Sequence, residues 1–519
     1  MKTDNPTYYR PEWTCGRYNQ TTHAAICYNL ITGVSYFFED SSADVMGILL
    51  SIPKNGRISI EVLSNETNIS EKSLIPFANE LCLLGLLTDI PIEKEYIADY
   101  RNFCRRKYDE TPSPIRAKVI DSHSEMDDAE SSYEARVGGI TNVMFELTYN
   151  CSEKCIHCYN IGASRNDQEK SYRSKTTSLE VNDYKRIIDE LYNEGLTKVL
   201  LSGGDPFSYS GVWEIIDYLY KKDIAFDIFS NGLGIVGKVK KLANYYPHRV
   251  CLSIYSELDK DHDRITRVKG SLRKTMLVLD DLSQLSIPMT IKCCVMKTNL
   301  KSYYTVSDIG KQYGIPVQYE LNVTDSIDGD KCVSKHLRLS PEQLEIVLRD
   351  PNTVMYVGKD IEGYGETMVN LERNACQAGY HTFCVTPDGN LIPCCAFHLS
   401  FGNLRSQSVH DIISDNKLLK WWQSLRLKDY EECGKKEYCG FCNLCAGVNH
   451  SEHGTPIKAA ENSCYVAKIR YELARKIGNG SYDPLKGLDL KSRLNQLEYI
   501  PIGVIQREYN QKREQNVDK

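Results

Sequence analysis

The sequence predicts an α/β protein: a core of parallel βαβ units, preceded by a small α+β unit and followed by a cysteine-rich extension. Three observations carry that reading. From about residue 141 to 324, strand-like apolar runs alternate with helical patterns at the spacing of βαβ units. The chain has 519 residues, too many for one ordinary core, so two to four domains are expected. Its 20 cysteines concentrate at 151–158 and between Cys376 and Cys464, whereas a disulfide scaffold would spread them along a small domain.

Residues 1–104 read as one unit, with its folded part at 24–89. Strands at 25–30 and 34–38 flank a turn at Thr32-Gly33, and an apolar helix follows near 43–52. A second helical face, Leu74, Phe77, Leu81 and Leu84, ends at Gly85-Leu86-Leu87. The pattern is that of a winged helix. Residues 105–139 are charged, carry Pro112 and Pro114, and contain the acidic-polar run 121–132, so they read as a partly disordered linker.

In the central segment, 140–330, strands are expected near Val143, Lys198, Ala225, Val250, Met289 and Val317. Amphipathic helices lie between them, such as Tyr184, Ile187, Ile188, Leu191 and Val212, Ile215, Ile216, Leu219. Parallel α/β architectures place their active sites at the carboxyl ends of strands. The loop at 151–158, Gly203-Gly204-Asp205 and Ser230-Asn231-Gly232 all fall there. A bridging region, 331–373, leads to the extension at 374–474, and 475–519 reads as a terminal helix and a charged, mobile tail.

Chemistry enters with Cys151-Ser152-Glu153-Lys154-Cys155-Ile156-His157-Cys158, a C-x3-C-x2-C loop after the apolar run 143–147. Three thiolates on one tight loop can hold three irons of a 4Fe-4S cluster and leave the fourth without a protein ligand. At this composition the spacing arises by chance in about 0.03 of chains, so context has to raise the odds. It does: one helix and one strand later comes Ser202-Gly203-Gly204-Asp205-Pro206. A net charge of −6 leaves no basic footprint for nucleic acid, and no apolar run is long enough for a bilayer. The polar start of the chain lacks a secretory signal, so a cytoplasmic, reducing setting is expected, in which clustered cysteines bind metal. The 34 tyrosines are scattered and read as half-buried aromatic surface.

The cysteine loop followed by a GGEP-like motif resembles the radical S-adenosylmethionine (AdoMet) enzymes. The resemblance implies a partial (β/α)6 barrel, a 4Fe-4S cluster on Cys151, Cys155 and Cys158, and an AdoMet whose amino and carboxylate groups chelate the open iron. Electron transfer to the sulfonium then yields a 5′-deoxyadenosyl radical. Implied AdoMet contacts are Gly203 and Gly204, whose backbone can approach closely, Asp205 in place of the usual Glu, Ser253 at the end of the fourth strand, Asn231, Arg267 and the aromatic Tyr159. His157 reads as a loop residue. The N-terminal unit resembles the PqqD-like recognition element of ribosomal peptide maturation, in Tyr28-Asn29-Leu30 and Ser42-Ala43-Asp44-Val45; the bland alternative is a winged helix used only for packing.

In the extension, Cys376, Gly389 and Cys394 meet a C-x12-G-x4-C pattern, with Cys384 between them and a hairpin turn at Asp388-Gly389. Cys433-x5-Cys439-x2-Cys442-x2-Cys445 follows, then Cys464. This resembles the SPASM extension, which carries auxiliary iron-sulfur clusters. By the resemblance, Cys376, Cys394 and one of Cys442 or Cys445 serve a first auxiliary cluster, with Cys384 or a substrate atom as fourth ligand. Cys433, Cys439 and Cys464 serve a second. Tyr430 stands where a cysteine is expected and Cys445 is extra, so one or two auxiliary 4Fe-4S clusters remain open. A zinc ribbon is the structural alternative. Cys251, Cys293, Cys294, Cys15, Cys27, Cys82, Cys104 and Cys332 read as small core hydrophobes.

The expected function is radical modification of a ribosomally made precursor peptide, with oxidative thioether or C–C cross-linking favoured, the leader bound by the N-terminal unit, and electrons from a flavodoxin or ferredoxin. No catalytic side chain can be named. The alternatives are a sulfatase-type maturase oxidising Cys or Ser, a peptide epimerase, and an iron-sulfur or zinc regulatory protein.

Overall fold

The computed structural model describes residues 5–91, 123–160, 178–325, 332–350, 369–442, 444–478 and 481. In the N-terminal unit, strands β2 (Thr14–Asn19), β3 (Ala24–Asn29) and β4 (Val34–Glu39) form an antiparallel meander, and the short β1 (Thr7–Tyr9) pairs β5 (Arg57–Ser59). Gly33 takes the left-handed conformation that the β3–β4 turn requires, with φ of 71°. Helices Asp40–Ser51, Ile60–Thr67 and Glu71–Leu83 cover one face and bury Ala43, Met46, Leu49, Leu63, Leu74 and Leu81. Strand β2 and the helix Ile60–Thr67 were not read from the sequence.

The other face of the meander belongs to a core shared with the central domain: Trp13, Ile26 and Tyr28 pack with Tyr133, Ala225 and Tyr246. Here the linker expectation is corrected. Residues 105–122 lie outside the described residues, but His123–Val137 is a helix that buries Tyr133, and its Glu130 accepts from Lys198 at 2.7 Å. Arg136 of the same helix pairs with Asp40 at 2.9 Å. The helix is tied to both flanking domains, through Lys198 on the central one and Asp40 on the N-terminal one.

The central sheet is parallel: β6 (Asn142–Glu146), β7 (Lys198–Ser202), β8 (Ala225–Ser230), β9 (Arg249–Ser253), β10 (Met289–Cys294) and β11 (Val317–Glu320) pair in sequence order. All six lie where the strand signals place them. The helices Val181–Asn193 and Val212–Lys221 bury the expected apolar faces against it.

Two features position the rest. The N-terminal unit docks on residues just before the strands: Tyr28 donates to Thr197 at 3.2 Å, His248 lies 3.1 Å from the Gly33 carbonyl, and Arg10 and Lys54 both pair with Asp223, at 2.8 and 3.0 Å. At the sheet's edge, β12 (Thr382–Val385) of the extension pairs in parallel with β6, followed by β13 (Asn390–Ile392) and β14 (Gly402–Asn403), making nine strands in all. The hairpin turn is where Asp388-Gly389 predicts it, with Gly389 at φ of 92°. The bridging residues 332–350 contribute two helices, Cys332–Leu337 and Pro341–Leu348, and the extension ends in the helix Glu461–Gly478. The remaining tail, apart from residue 481, lies outside the described residues. Among the described residues no helix is long and apolar enough to cross a membrane.

Candidate active site and thiol sets

The cysteine loop follows directly from the carboxyl end of β6 and is fixed by backbone. Gly204 N–H donates to Thr148 at 2.6 Å and Asp205 N–H to Asn150 at 3.0 Å, gripping the loop's start; Asn160 Nδ2 donates to the Gly203 carbonyl at 3.2 Å, gripping its end. A Cβ on Gly203 would stand 2.3 Å from the Thr148 carbonyl oxygen, and one on Gly204 2.4 Å from that of Asn150. The glycines therefore let the β7 turn press on the cysteine loop itself. In the middle of the loop, Lys154 and Ile156 N–H donate to the carbonyls of Thr266 and Ile265, at 2.9 and 3.0 Å. Those carbonyls end the helix Asp259–Thr266 and have no partner within it. Arg267, left-handed at φ of 58°, closes that helix beside the loop.

Asp205 is buried and its carboxylate is taken up by protein donors: Phe207 N–H at 3.0 Å, Ser230 Oγ at 2.6 Å and Asn231 N–H at 3.0 Å. It ties the β7 turn to the β8 turn and so acts as a positioning residue in this structure. Asn231 in turn donates Nδ2 to Cys151 Sγ at 3.3 Å and to Ser152 at 3.2 Å. Ser253 ends β9, and its side chain bonds the Tyr255 phenol, whose surroundings include Cys155 and Glu153. Tyr159 donates to the buried Glu146 carboxylate at 3.0 Å.

Burial favours the neutral thiol at Cys151 and Cys155. Burial pushes Cys151 up to about 12, with the charges of Asp205 and Cys158 adding, and burial with Glu153 and the other two thiols lifts Cys155 far above its usual range. A cationic centre reverses this, since a metal-bound thiol is deprotonated outright. Three mutually close thiols with the carboxyl ends of six strands around them suit a cluster with one open iron.

The extension's cysteines divide into two sets. Cys433, Cys439, Cys442 and Cys464 line one small, mainly apolar cavity with Leu427, Leu444 and Ala467. Cys376, Cys394 and Cys445 interact with one another, and Cys384 and Cys395 lie beside Cys394. Cys442 lies with the second set and Cys445 with the first. Cys395 was missed by sequence reasoning, although it stands next to Cys394; the Cys-Cys doublet after the hairpin was the available signal. Burial pushes its thiol up to about 12, with Glu146 adding and the Tyr159 phenol opposing. Among the described residues no three His, Cys, Asp or Glu side chains close around a single ion; the ligands of a four-iron cube sit at separate corners.

A cavity of about 570 Å³ joins the cysteine loop to the first set. His157 and Tyr159 of the loop line it, with Cys294 and Glu320 at the ends of β10 and β11, and across from them Cys395, Cys445 and Arg470. Of the residues expected to contact AdoMet, Tyr159 alone lines this cavity; Gly203, Gly204, Asp205 and Asn231 hold the loop, and Ser253 and Arg267 stand close to it. His157 packs edge-on against Tyr255, with ring centroids 4.7 Å apart, and burial lowers its imidazole to about 4.

Residues 145–303 match the model of the radical SAM superfamily and residues 376–446 that of the SPASM iron-sulfur cluster-binding domain, so the chain is an enzyme that carries a radical AdoMet segment and, after it, an auxiliary-cluster segment. The zinc-ribbon alternative gives way to that second match. Among individual proteins, the chain is similar to the antilisterial bacteriocin subtilosin biosynthesis protein AlbA of Bacillus subtilis, 24% identical over 78% of this chain and 91% of that one. It is also similar to the AdoMet-dependent heme synthase of Methanosarcina barkeri, 24% identical over 59% of this chain and 90% of the other. In fold it resembles Streptococcus suis SuiB bound to the precursor peptide SuiA, at 15% identity and a TM-score of 0.53, covering 88% of this chain and 99% of that one.

Proposed function

We propose that this protein modifies a ribosomally made precursor peptide, holding the leader on residues 24–89 and cross-linking core residues oxidatively, as a thioether or a C–C bond. The observation that carries the reading is the shared cavity: a substrate seated in it touches the cysteine loop on one side and Cys395 and Cys445 on the other. Its volume suits a few peptide side chains. The similarity to AlbA supports a peptide substrate, since it spans 78% of the chain against 59% for the heme synthase.

When bound, the loop cluster and AdoMet supply a 5′-deoxyadenosyl radical that takes hydrogen from carbon. The chain's own residues have separate tasks. Leu321, Val323, Val448 and Val466 wall the cavity and exclude water, while Glu320 and Arg470 offer one acidic and one basic contact to a substrate. The thiol sets of the extension lie where an electron released on bond formation can be taken up, and a flavodoxin or ferredoxin supplies the reducing electron. Strand β4 is an edge of the N-terminal meander, and an extended leader can add there. That unit sits at the amino ends of strands five or six residues long. Leader and target are therefore separated by about the length of a strand, about 17–20 Å, a stretch of about five or six extended residues.

The test is incubation of reduced, reconstituted enzyme with AdoMet and the peptide encoded by a short reading frame beside the gene. A two-hydrogen mass loss with 5′-deoxyadenosine supports cross-linking. Unchanged mass with deuterium uptake from solvent points to epimerisation, and neither result counts against peptide chemistry on that substrate.

A further inference from the structure

Tyr430 occupies the place in the extension where the resemblance leads one to expect a cysteine, and its surroundings give it a different task. The side chain is 1% exposed and packs in one small apolar cluster with Leu427 and Cys433, against Ala375 and Leu444. Ala375 precedes Cys376 of the first thiol set, Leu444 precedes Cys445 of the same set, and Cys433 belongs to the second. The ring thus fills the seam between the two sets. Its hydroxyl is buried and has no hydrogen-bond partner among the described residues. Neighbouring Tyr380 is engaged elsewhere, donating to the Gln423 carbonyl at 2.6 Å.

Burying a phenol without an acceptor is costly, and phenylalanine would fill the same space without that cost. Keeping the hydroxyl makes physical sense if the acceptor arrives with the clusters, whose sulfides and thiolates are anionic. We propose that the Tyr430 hydroxyl donates a hydrogen bond to a sulfur at the seam of the two auxiliary clusters and raises the reduction potential of the cluster it contacts. The donor stabilises the reduced, more negative state more than the oxidised one, since hydrogen bonds to cluster sulfurs are one of the protein's levers on potential. A raised potential makes that cluster a better acceptor for an electron leaving the substrate. This second step rests on the oxidative reading above; the hydrogen bond itself does not.

The experiment uses the full chain, anaerobically reconstituted, in its native form and as Tyr430→Phe. Iron content and AdoMet cleavage without substrate should be unchanged, because the ring and its packing remain. A redox titration followed by electron paramagnetic resonance should show one auxiliary signal moved to lower potential in the variant. Electron-nuclear double resonance on the reduced cluster should show an exchangeable proton coupling in the native enzyme that is missing in Tyr430→Phe. Unmoved auxiliary potentials, or an identical exchangeable coupling in both proteins, overturn the proposal. If the potential shifts and the coupling disappears while no precursor peptide is modified, the hydrogen bond stands and the peptide reading falls.

Discussion

The loop at 151–158 and the segment from Cys376 to Cys464 both gather thiols, but by different means. The loop is held by main-chain groups: two glycines press the β7 turn onto its base, and the open end of the helix Asp259–Thr266 receives its centre. The extension brings its cysteines from a hairpin, two turns and two helix starts, and fixes them by packing and side-chain bonds such as Trp422 Nε1 to the Ala378 carbonyl at 2.6 Å. The first arrangement encodes three ligands within eight residues, whereas the second needs the tertiary fold before any set exists. The first should therefore act as a unit, and the second should come apart piece by piece.

The largest effect expected from that contrast follows replacement of Cys151, Cys155 and Cys158 together by Ala. AdoMet cleavage should be abolished while roughly half to two thirds of the iron stays bound, as expected for one lost cluster beside one or two auxiliary ones. Iron analysis beside a 5′-deoxyadenosine assay checks it. Loss of all the iron would mean that the two regions do not load separately.

A smaller loss is expected within the extension, where the two neighbouring cysteines should behave as members of different sets. If each thiol set holds a cluster, Cys442→Ala should remove the spectroscopic signature of one and Cys445→Ala that of the other, each with about a third of the iron. Mössbauer spectra of the two variants decide; the same signature lost in both would dissolve the partition drawn from the second cavity.

This partition also marks where the sequence stops being legible. The six barrel strands, the cysteine loop and the Asp388-Gly389 turn were all readable, because each is set by local periodicity or by spacing within one loop. The pairing of β12 with β6 joins residues 240 positions apart, as Thr382 with Asn142, and no local pattern announces it. Nor could spacing divide Cys442 from Cys445, which are three residues apart and face different sets. The helix His123–Val137 was hidden for a different reason. Its composition is that of a solvated linker, and it is ordered by Lys198 and Asp40 on neighbouring domains. The spacing places Asp205 at a strand end, but its three donors come from the β7 and β8 turns and are visible only in the fold.

A third test probes the backbone grip on the loop. In Gly203→Ala, the new Cβ would meet the Thr148 carbonyl at 2.3 Å, at a φ of 123° that L side chains rarely adopt. The expected cost is about 3 kcal/mol, combining backbone strain with overpacking. Urea unfolding of the metal-free protein would measure it, and the C-terminal iron should be retained after reconstitution. An unchanged midpoint would show that the turn and the loop are free to separate.

The smallest effect should come from the counterpart of that grip in the extension. Asn449 is fully buried on the helix Ala446–His453, which starts directly after Cys445; it donates to the Pro456 carbonyl and accepts from Ala460 N–H, both at 2.9 Å. These bonds fix the stretch that carries the chain on to Cys464. Asn449→Ala leaves a buried donor and a buried acceptor without partners, at a cost of about 2 kcal/mol. Because the bonds are made by one side chain, the damage should stay local: auxiliary iron should become easier to chelate while AdoMet cleavage by the loop cluster keeps its native rate. If cleavage falls in step with the auxiliary iron, the nine-stranded sheet transmits strain between the two regions, and the thiol loop is less self-contained than its backbone bonds imply.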